Sequence, residues 1–516
     1  MLASRLANGM TDDSTTALNG REPRWQASWL WGLALPAVVY LAQVAYLWGF
    51  TIDDVAITYR YALHLAHGQG LSWNPGGAPV EGYSNFLWVL ILAGASWVGL
   101  SIETAAAALG AVLGLGCLSL LFVLCRRLWS PQRYWWLPVM LVSLTPEWTI
   151  WSVSGLEIPL YCAFLLVSLL GLTEKPDTRQ RLLSIGLPGL VLTRPEGLLI
   201  GGIVLVVGVI AEPGSLSRRL RGFAIPVLAT VATAGALVAF RLAYFGSPLP
   251  NTVYAKFAGT LPSLGRVGEW LVFGIPFFLA WGAALRQWQN LQHRWVLGTA
   301  IILVFIQIAV VLPVVPVMYF LHRYQIAFLP FLLLAVPCVI MLVPATRRWG
   351  VALLLALMLV WMLKEWPEVN NWVASERYWR QTRQEVADAM RAVPPDTKLA
   401  LVDAGYIPYW SDLPTLDVWG LCDRRFAQEG FDAEATMAEN PGVYVMPVDV
   451  INKGNLIPQQ GRDKLVAGTI RFQERFSLWK FCGHPLQRGQ PAANGYAIML
   501  DTTTVWARKL VQTASP

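Results

Sequence analysis

Apolar runs of about 20 residues, the length that crosses a bilayer, recur from residue 29 to residue 365 and then stop. The pattern predicts spans at 29–50, 104–125, 134–153, 158–173, 182–193, 197–211, 223–245, 269–286, 295–317, 325–343 and 349–365, about eleven transmembrane helices in all. The spans at 182 and 197 are short and are expected to be tilted or broken. One further run, FLWVLILAGASWVGL at 86–100, is read as an interfacial or re-entrant helix, because as a full span it would invert every later loop. From 366 to 516 the pattern turns polar. There TKLALVDAGYIPYWSDLPTLDVWGL predicts two short strands around a Gly-aromatic turn, and NGYAIMLDTTTVW a terminal hairpin, so the segment reads as a soluble mixed α/β or β-rich domain.

Composition agrees with an α-helical polytopic membrane protein. Of 516 residues 55% are apolar and 14% charged, with 25 Trp, against about 25% charge in soluble domains. The charge is unevenly placed. Residues 366–516 hold 16 Lys and Arg against 17 Asp and Glu, and residues 1–365 hold 23 against 15, so the excess of cations belongs to the membrane part. Those cations cluster at Arg126, Arg127 and Arg133, at Lys175, Arg179 and Arg181, at Arg218, Arg219 and Arg221, at Arg286 and Arg294, and at Arg347 and Arg348. Loops rich in Lys and Arg stay in the cytoplasm. Three domains follow: a disordered cytoplasmic tail at 1–28, a transmembrane unit at 29–365 and an extracytoplasmic domain at 366–516. No cleavable signal peptide is visible before the first span.

With that topology the other polar clusters collect on the outer face: Asp53 to Arg60, VEGYSN (80–85), SGLE (154–157), TRPEG (193–197), YFGSPLPNTVYAK (244–256) and HRY (322–324). Ionisable groups at membrane depth are costly and are functional by default. The adjacent pair Asp53 and Asp54 therefore reads as a catalytic loop, with a solvated span end as the plain alternative. If residues 53 to 67 are helical, Asp53, Arg60, His64 and His67 share one face, which would look into the site. Interfacial hydrogen bonding is the simpler role for the two histidines. With no Cys nearby they offer no convincing metal-ligand set, and no metal site or cofactor is assigned, though a divalent ion stays compatible.

DDVAITYRYALHLAHGQGLSWNPG, VEGYSNFLW, SGLEIPL, LTRPEG, YFGSPLPNTVYAK and DAGYIPYWSDLPTLDVWGLCD together resemble the GT-C class of polyprenyl-phosphate-sugar glycosyltransferases. Within that class they are most similar to the mycobacterial terminal arabinofuranosyltransferases of cell-wall arabinogalactan. The likeness runs over nearly the whole chain in motif order, and the acidic pair in the first outer loop is its most specific element. It implies a multi-span enzyme of GT-C-like fold, with its site on the non-cytoplasmic face and a soluble tail beside the site. It also implies a lipid-linked sugar donor on undecaprenyl or decaprenyl phosphate. The expected reaction moves a sugar, a pentose such as arabinofuranose, to a cell-envelope glycan at the outer face of the bacterial inner membrane. Lipid A or a protein such as a pilin is the alternative acceptor. A transporter of envelope precursors is the alternative of another class, but it should show paired halves and polar groups near mid-membrane.

Sugar transfer from a lipid phosphate needs a base for the acceptor hydroxyl and cations for the departing phosphate. Asp53 matches the family's first acidic residue and is the expected base, with Asp54 orienting it or sharing the proton. Lys256, Arg194, Arg323 and, nearer the base, Arg60 are the phosphate candidates, each with interfacial snorkelling as its alternative. Glu157 is expected to hold a substrate hydroxyl or else to sit at a helix N-terminus. Glu81, Tyr83 and Asn85 suit sugar binding by hydrogen bonds and ring stacking, or form a plain turn. Glu196 pairs with Arg194 or meets substrate; Asn251 and His322 complete the outer set. In the tail, Asp403, Tyr406, Tyr409, Trp410 and Asp417 face an acceptor or fill a core. Cys422 and Cys482, the two tail cysteines, are expected to form a disulfide in an oxidising compartment. No P-loop, dinucleotide fingerprint or nucleic-acid module is present.

Overall fold

The computed structural model describes residues 29–130, 134–257, 264–313, 320–342, 348–451, 455–483 and 493–514. The segment 1–28, Arg133 and Arg347 lie outside them. The helical part begins with α1 (Leu35–Leu47), α2 (Val55–Ala66), α3 (Phe86–Trp97) and α4 (Ile102–Trp129). It continues through α5 (Leu137–Leu144), α6 (Pro146–Val153), α7 (Ile158–Leu172), α8 (Pro176–Thr193), α9 (Gly197–Ala211) and α10 (Leu216–Phe245). It closes with α11 (Asn251–Phe257), α12 (Leu264–Arg286), α13 (Arg294–Val311), α14 (Leu329–Leu333), α15 (Val336–Leu342) and α16 (Arg348–Leu363).

Among the described residues five helices are long and apolar enough to cross a membrane, or six if the bent pair α6 and α7 counts as one span. The described parts of the eleven expected segments are mostly helical, but several are short or broken. The segment at 134–153 is interrupted at Thr145, because Pro146 cannot continue the helix before it. The segment at 325–343 is a 3-10 turn followed by α14 and α15. Helix α3, at 12 residues, is too short for a full crossing, as expected of the 86–100 run. Between α6 and α7 the chain bends by 114° at SGLE.

Small residues let the first helices meet closely. A Cβ on Gly110 would stand 2.1 Å from the Ser152 carbonyl oxygen, and one on Gly114 would stand 2.2 Å from the Tyr40 hydroxyl. This is the small-xxx-small contact of membrane helices, here clamping α4 onto α6 and α1. Arg127 pairs with Glu174, and Arg179 with Glu212, joining the basic loops to each other. They lie at the far end of α4, about 42 Å from its start at 1.5 Å per residue.

The tail opens with α17 (Trp366–Ala389) and then forms a mixed six-stranded sheet: β1 (Leu399–Leu401), β2 (Thr415–Asp417), β3 (Val443–Ile451), β4 (Asn455–Pro458), β5 (Phe476–Gly483) and β6 (Ala493–Asp501). The order is β2-β1-β3-β6-β5, with β4 pairing β3; β2, β1 and β3 run parallel, and β6 is antiparallel to both β3 and β5. Alternation along β3 splits the core in two. Val443 and Val445 pack toward α17 and the C-terminal helix α23 (Val505–Ala514), while Tyr444, Met446 and Val448 pack on the other face against Phe426, Met437 and Phe472. The intervening short helices are α18 (Tyr406–Ser411), α19 (Arg424–Gln428), α20 (Ala433–Ala438), α21 (Gly461–Ala467) and α22 (Ile470–Arg475).

The tail is therefore α/β. The turn expected between its first strands is a helix, α18. The final hairpin is β5 with β6, not the chain end, because Thr503 and Thr504 turn the chain into α23.

The expected Cys422–Cys482 bond is not formed, and all six cysteines are free thiols. Cys422 packs against Gly82 at the join with the helical part, whereas Cys482 is opposite Tyr496 on β5, inside the sheet's own core. Even parity in one domain says nothing of proximity, and these two side chains belong to separate cores.

Candidate functional site

Helix α2 lies at the polar end of the helical part and is buried along most of its length, covered by the tail. Its start is the acidic pair. Backbone N–H groups of Ala56 and Ile57 reach the carbonyls of Asp53 and Asp54, which turns the chain into the helix and leaves both carboxylates free to point outward. They point to different partners. Asp53 Oδ1 accepts from the Tyr406 backbone N–H at 2.9 Å and lies 3.2 Å from Arg383 Nε. Asp54 Oδ2 accepts from Arg323 Nη1 at 2.8 Å.

Close approach of the tail to Asp53 depends on Gly405. A Cβ there would meet the Asp53 carbonyl oxygen at 2.1 Å and its carboxyl carbon at 2.4 Å. Around this contact Arg383 also faces Glu376 at 3.2 Å and the Tyr496 hydroxyl at 3.3 Å, and Tyr496 donates to Asp403 at 2.6 Å. Burial pushes the Asp53 carboxyl up to about 7; Asp403 and Asp54 add to the rise, while Arg383 and the Tyr406 N–H oppose it. Glu376 is likewise raised by burial against the pull of Arg383.

Two cavities meet at the pair. One, of about 320 Å³, is lined by Asp53, Asp54, Glu376, Asp403 and Arg383 together with Phe320, Trp372, Trp379 and Trp419. The other, of about 50 Å³, is lined by Asp54, Tyr83, Asn85, Glu157, Arg194, Lys256 and Arg323. The first is carboxylate-rich and aromatic; the second is cation-rich. The Asp54–Arg323 pair stands between them. The turn that carries Arg323 is fixed from both sides, since Trp151 Nε1 donates to the Leu321 carbonyl at 2.7 Å and Gln307 Nε2 to the Tyr324 carbonyl at 2.8 Å.

In the cationic cleft Glu157 accepts from Asn85 at 2.9 Å and from Arg194 at 2.7 Å, and Arg194 also pairs with Glu196. Lys256 has no ion-pair partner among the described residues and lies 5.9 Å from the Tyr324 ring. Tyr83 packs edge-on against Tyr61, and its hydroxyl is buried without a partner among the described residues.

Five residues expected at the site do other work. Arg60, 1% exposed, gives its donors to the carbonyls of Trp73, Pro408 and Leu413 and stacks on Trp73. His64 contacts the Ser72 carbonyl and Asp412. The face shared by Asp53, Arg60 and His64 exists, but it runs along residues 405–413 of the tail, and of the three Asp53 alone lines the two cavities at the acidic pair. Glu81 is gripped by Arg241 through two bonds of 2.8 and 2.9 Å, a buried pair tying α10 to the loop before α3. Asn251 donates to the carbonyls of Gly420, Leu421 and Asp423, latching the tail. His322 packs against Trp270 and Phe273.

In the tail Asp417 caps the turn at Trp419, Gly420 and Cys422 by accepting three backbone N–H groups, and burial still raises it to about 6. It serves the core. Asp403 lines the larger cavity. Sequence reasoning missed Arg383, Glu376 and Arg241. Arg241, a lone cation within an apolar run, carried a signal; Arg383 and Glu376 sit in a charged helix that looks solvated.

Comparisons with known proteins agree with this architecture. Residues 370–497 match the family described as Domain of unknown function (DUF8728). The chain is 32% identical over 223 residues to the terminal β-(1→2)-arabinofuranosyltransferase of Mycobacterium tuberculosis. That match takes in 40% of this chain and 34% of the relative, so the chain spans about a third of the curated relative's length. Two crystal structures of ArnT from Cupriavidus metallidurans, one bound to undecaprenyl phosphate and one in the apo state, superpose with a TM-score of 0.56 at 13% identity, covering 92% of this chain and 98% of theirs. The fold is ArnT-like, as the resemblance to the GT-C class implies.

Proposed function

We propose that the protein is a membrane glycosyltransferase that moves a sugar from a polyprenyl-phosphate donor to an acceptor hydroxyl. One observation carries the reading: a raised carboxyl at Asp53 and a cluster of cations lie on either side of Asp54, in two cavities that share Asp54 as a wall. The donor phosphate fits the cleft of Arg194, Lys256 and Arg323, where guanidinium forks and an ammonium meet the charge that develops as the phosphate leaves. The acceptor fits the larger cavity, whose Trp and Phe faces suit a sugar ring. Asp53, ionised near neutral pH, takes the proton of the attacking hydroxyl. Asp54 holds Arg323 at the boundary.

One of the ArnT structures is bound to undecaprenyl phosphate, which favours a lipid-linked donor, and the mycobacterial relative is an arabinofuranosyltransferase, which favours a pentose. In the proposed arrangement the short and broken helices complete eleven crossings of the bacterial inner membrane. The N-terminus lies inside, the tail outside, and a cell-envelope glycan is the acceptor.

The test uses membranes from expressing cells, supplied separately with radiolabelled polyprenyl-phosphate pentose and hexose. Label should pass from the pentose donor to glycan, and should not do so with the Asp53→Asn variant. Label arriving in lipid A or protein would redirect the acceptor. No transfer from any lipid-linked sugar would remove the proposed activity.

A further inference from the structure

We infer that Glu147, His322 and Glu365 form a binding site for one divalent cation of the Zn²⁺ or Mn²⁺ type, separate from the two cavities at Asp54. One ligand atom from each residue lies within 4.8 Å of the others. Ligands about 2.1 Å from a tetrahedral Zn²⁺ stand roughly 3.4 Å from one another, so side-chain rotation of about 1 Å closes the set. Two carboxylates and an imidazole suit a borderline first-row cation better than Mg²⁺ or Ca²⁺, which prefer oxygen alone.

The second observation is what these atoms lack. Glu147 is completely buried on the first turn of α6, and neither carboxylate oxygen has a hydrogen-bond partner among the described residues. His322 Nδ1 is also buried and has no hydrogen-bond partner among the described residues. An anionic carboxylate in that place costs several kcal/mol unless a cation meets it. The neighbouring lysine does not serve: Lys364 Nζ is 3.4 Å from Glu365 Oε1 and sits over the Trp361 ring, 3.5 Å from its centroid.

Access is open as well. A cavity of about 450 Å³ adjoins His322 and Glu365, with Glu269 and Glu368 on its walls, and gives an ion a route in and room for a water as fourth ligand. The three ligands come from α6, from the turn carrying Arg323 and from the residue preceding α17. A bound cation would join the helical part, the Arg323 turn and the root of the tail.

The site is tested without substrate or turnover, so its failure and that of the transferase reading are separate. Full-length protein in lipid nanodiscs is stripped with EDTA, dialysed, and exposed to Zn²⁺ alone or Mn²⁺ alone. The wild type should retain one equivalent per chain after gel filtration, by elemental analysis, and melt at a higher temperature with the ion than without. X-ray absorption should show only N and O neighbours. Glu147→Gln and His322→Ala should lose the equivalent and the metal-dependent rise in melting temperature, while Asp53→Asn keeps both. Glu365→Gln serves if either variant fails to fold. A wild type that retains no more metal than Glu147→Gln, or variants that keep the full equivalent, would overturn the site; Glu147 would then simply hold a proton.

Discussion

Asp53 and Asp54 are chain neighbours with opposite surroundings. Asp54 is paired with Arg323, whereas Asp53, half-buried between Arg383, the Tyr406 N–H and the nearby Asp403, is raised to about 7 because its loss of solvent outweighs the pull of Arg383. A base must be ionised to work. Its ionised fraction is small well below pH 7 and nearly complete well above it, so kcat/KM should climb across roughly pH 6 to 8 as the carboxyl loses its proton. Arg383 pulls the value down. Replacing it by Gln removes that pull, and the ascending limb should move to higher pH by about one unit. An unmoved limb would mean that another group sets it. Asp53→Asn should insert normally and lose roughly 10² to 10⁴-fold in rate, read as initial transfer rate at matched protein level. At this scale the sequence was legible where charge is scarce. Two carboxylates at the edge of an apolar run are conspicuous, and so is Lys256. Arg383 and Glu376 were hidden, because in α17 they are two charges among many and only the folded tail turns them inward.

Among elements, α2 and the 405–413 segment form the joint that positions Asp53, the proposed base. Arg60, His64 and Asp53 read one helix face correctly from their spacing. Their partner, however, comes from the far end of the chain, and no local pattern can announce it. Gly405 is the tightest point of this joint. Gly405→Ala would push a methyl into Asp53 and should abolish most transfer while the tail stays folded; Gly461→Ala, with open space around its Cα, should change nothing. Activity and limited proteolysis of the pair separate a displaced joint from an unfolded domain. The Glu81–Arg241 pair is the other fastening. Glu81 looked like a sugar ligand because Gly82 and Tyr83 follow it, yet its carboxylate is already filled by a bidentate guanidinium. Glu81→Gln leaves Arg241 buried without its counter-ion, and should destabilise the fold by about 3 to 5 kcal/mol, seen as a lower melting temperature in nanodiscs. Unchanged melting would show that water already reaches the pair.

For the whole molecule, the distribution of charge decides which side of the membrane the chemistry faces. The polar motifs and the tail share one end of the helical part. Glu103, on the first turn of α4, pairs with Arg380 and accepts from Trp410 Nε1 at 3.1 Å. Arg126 and Arg127 lie on the last turn of the same helix. A helix of 28 residues is about 42 Å long, more than the roughly 30 Å hydrocarbon layer, so its two ends must lie on opposite sides if it crosses. The excess of cations at the far end predicts that end inside. Leu100, exposed just before α4, and Ser130, exposed just after it, are suitable single-cysteine positions. All six native cysteines are buried and give little background. In intact cells a membrane-impermeant maleimide should label Leu100→Cys and spare Ser130→Cys until the membrane is opened. The reverse pattern would place Asp53, both cavities and the tail in the cytoplasm, where an acceptor on the cell envelope could not reach them, and would turn the proposed donor site toward the wrong leaflet.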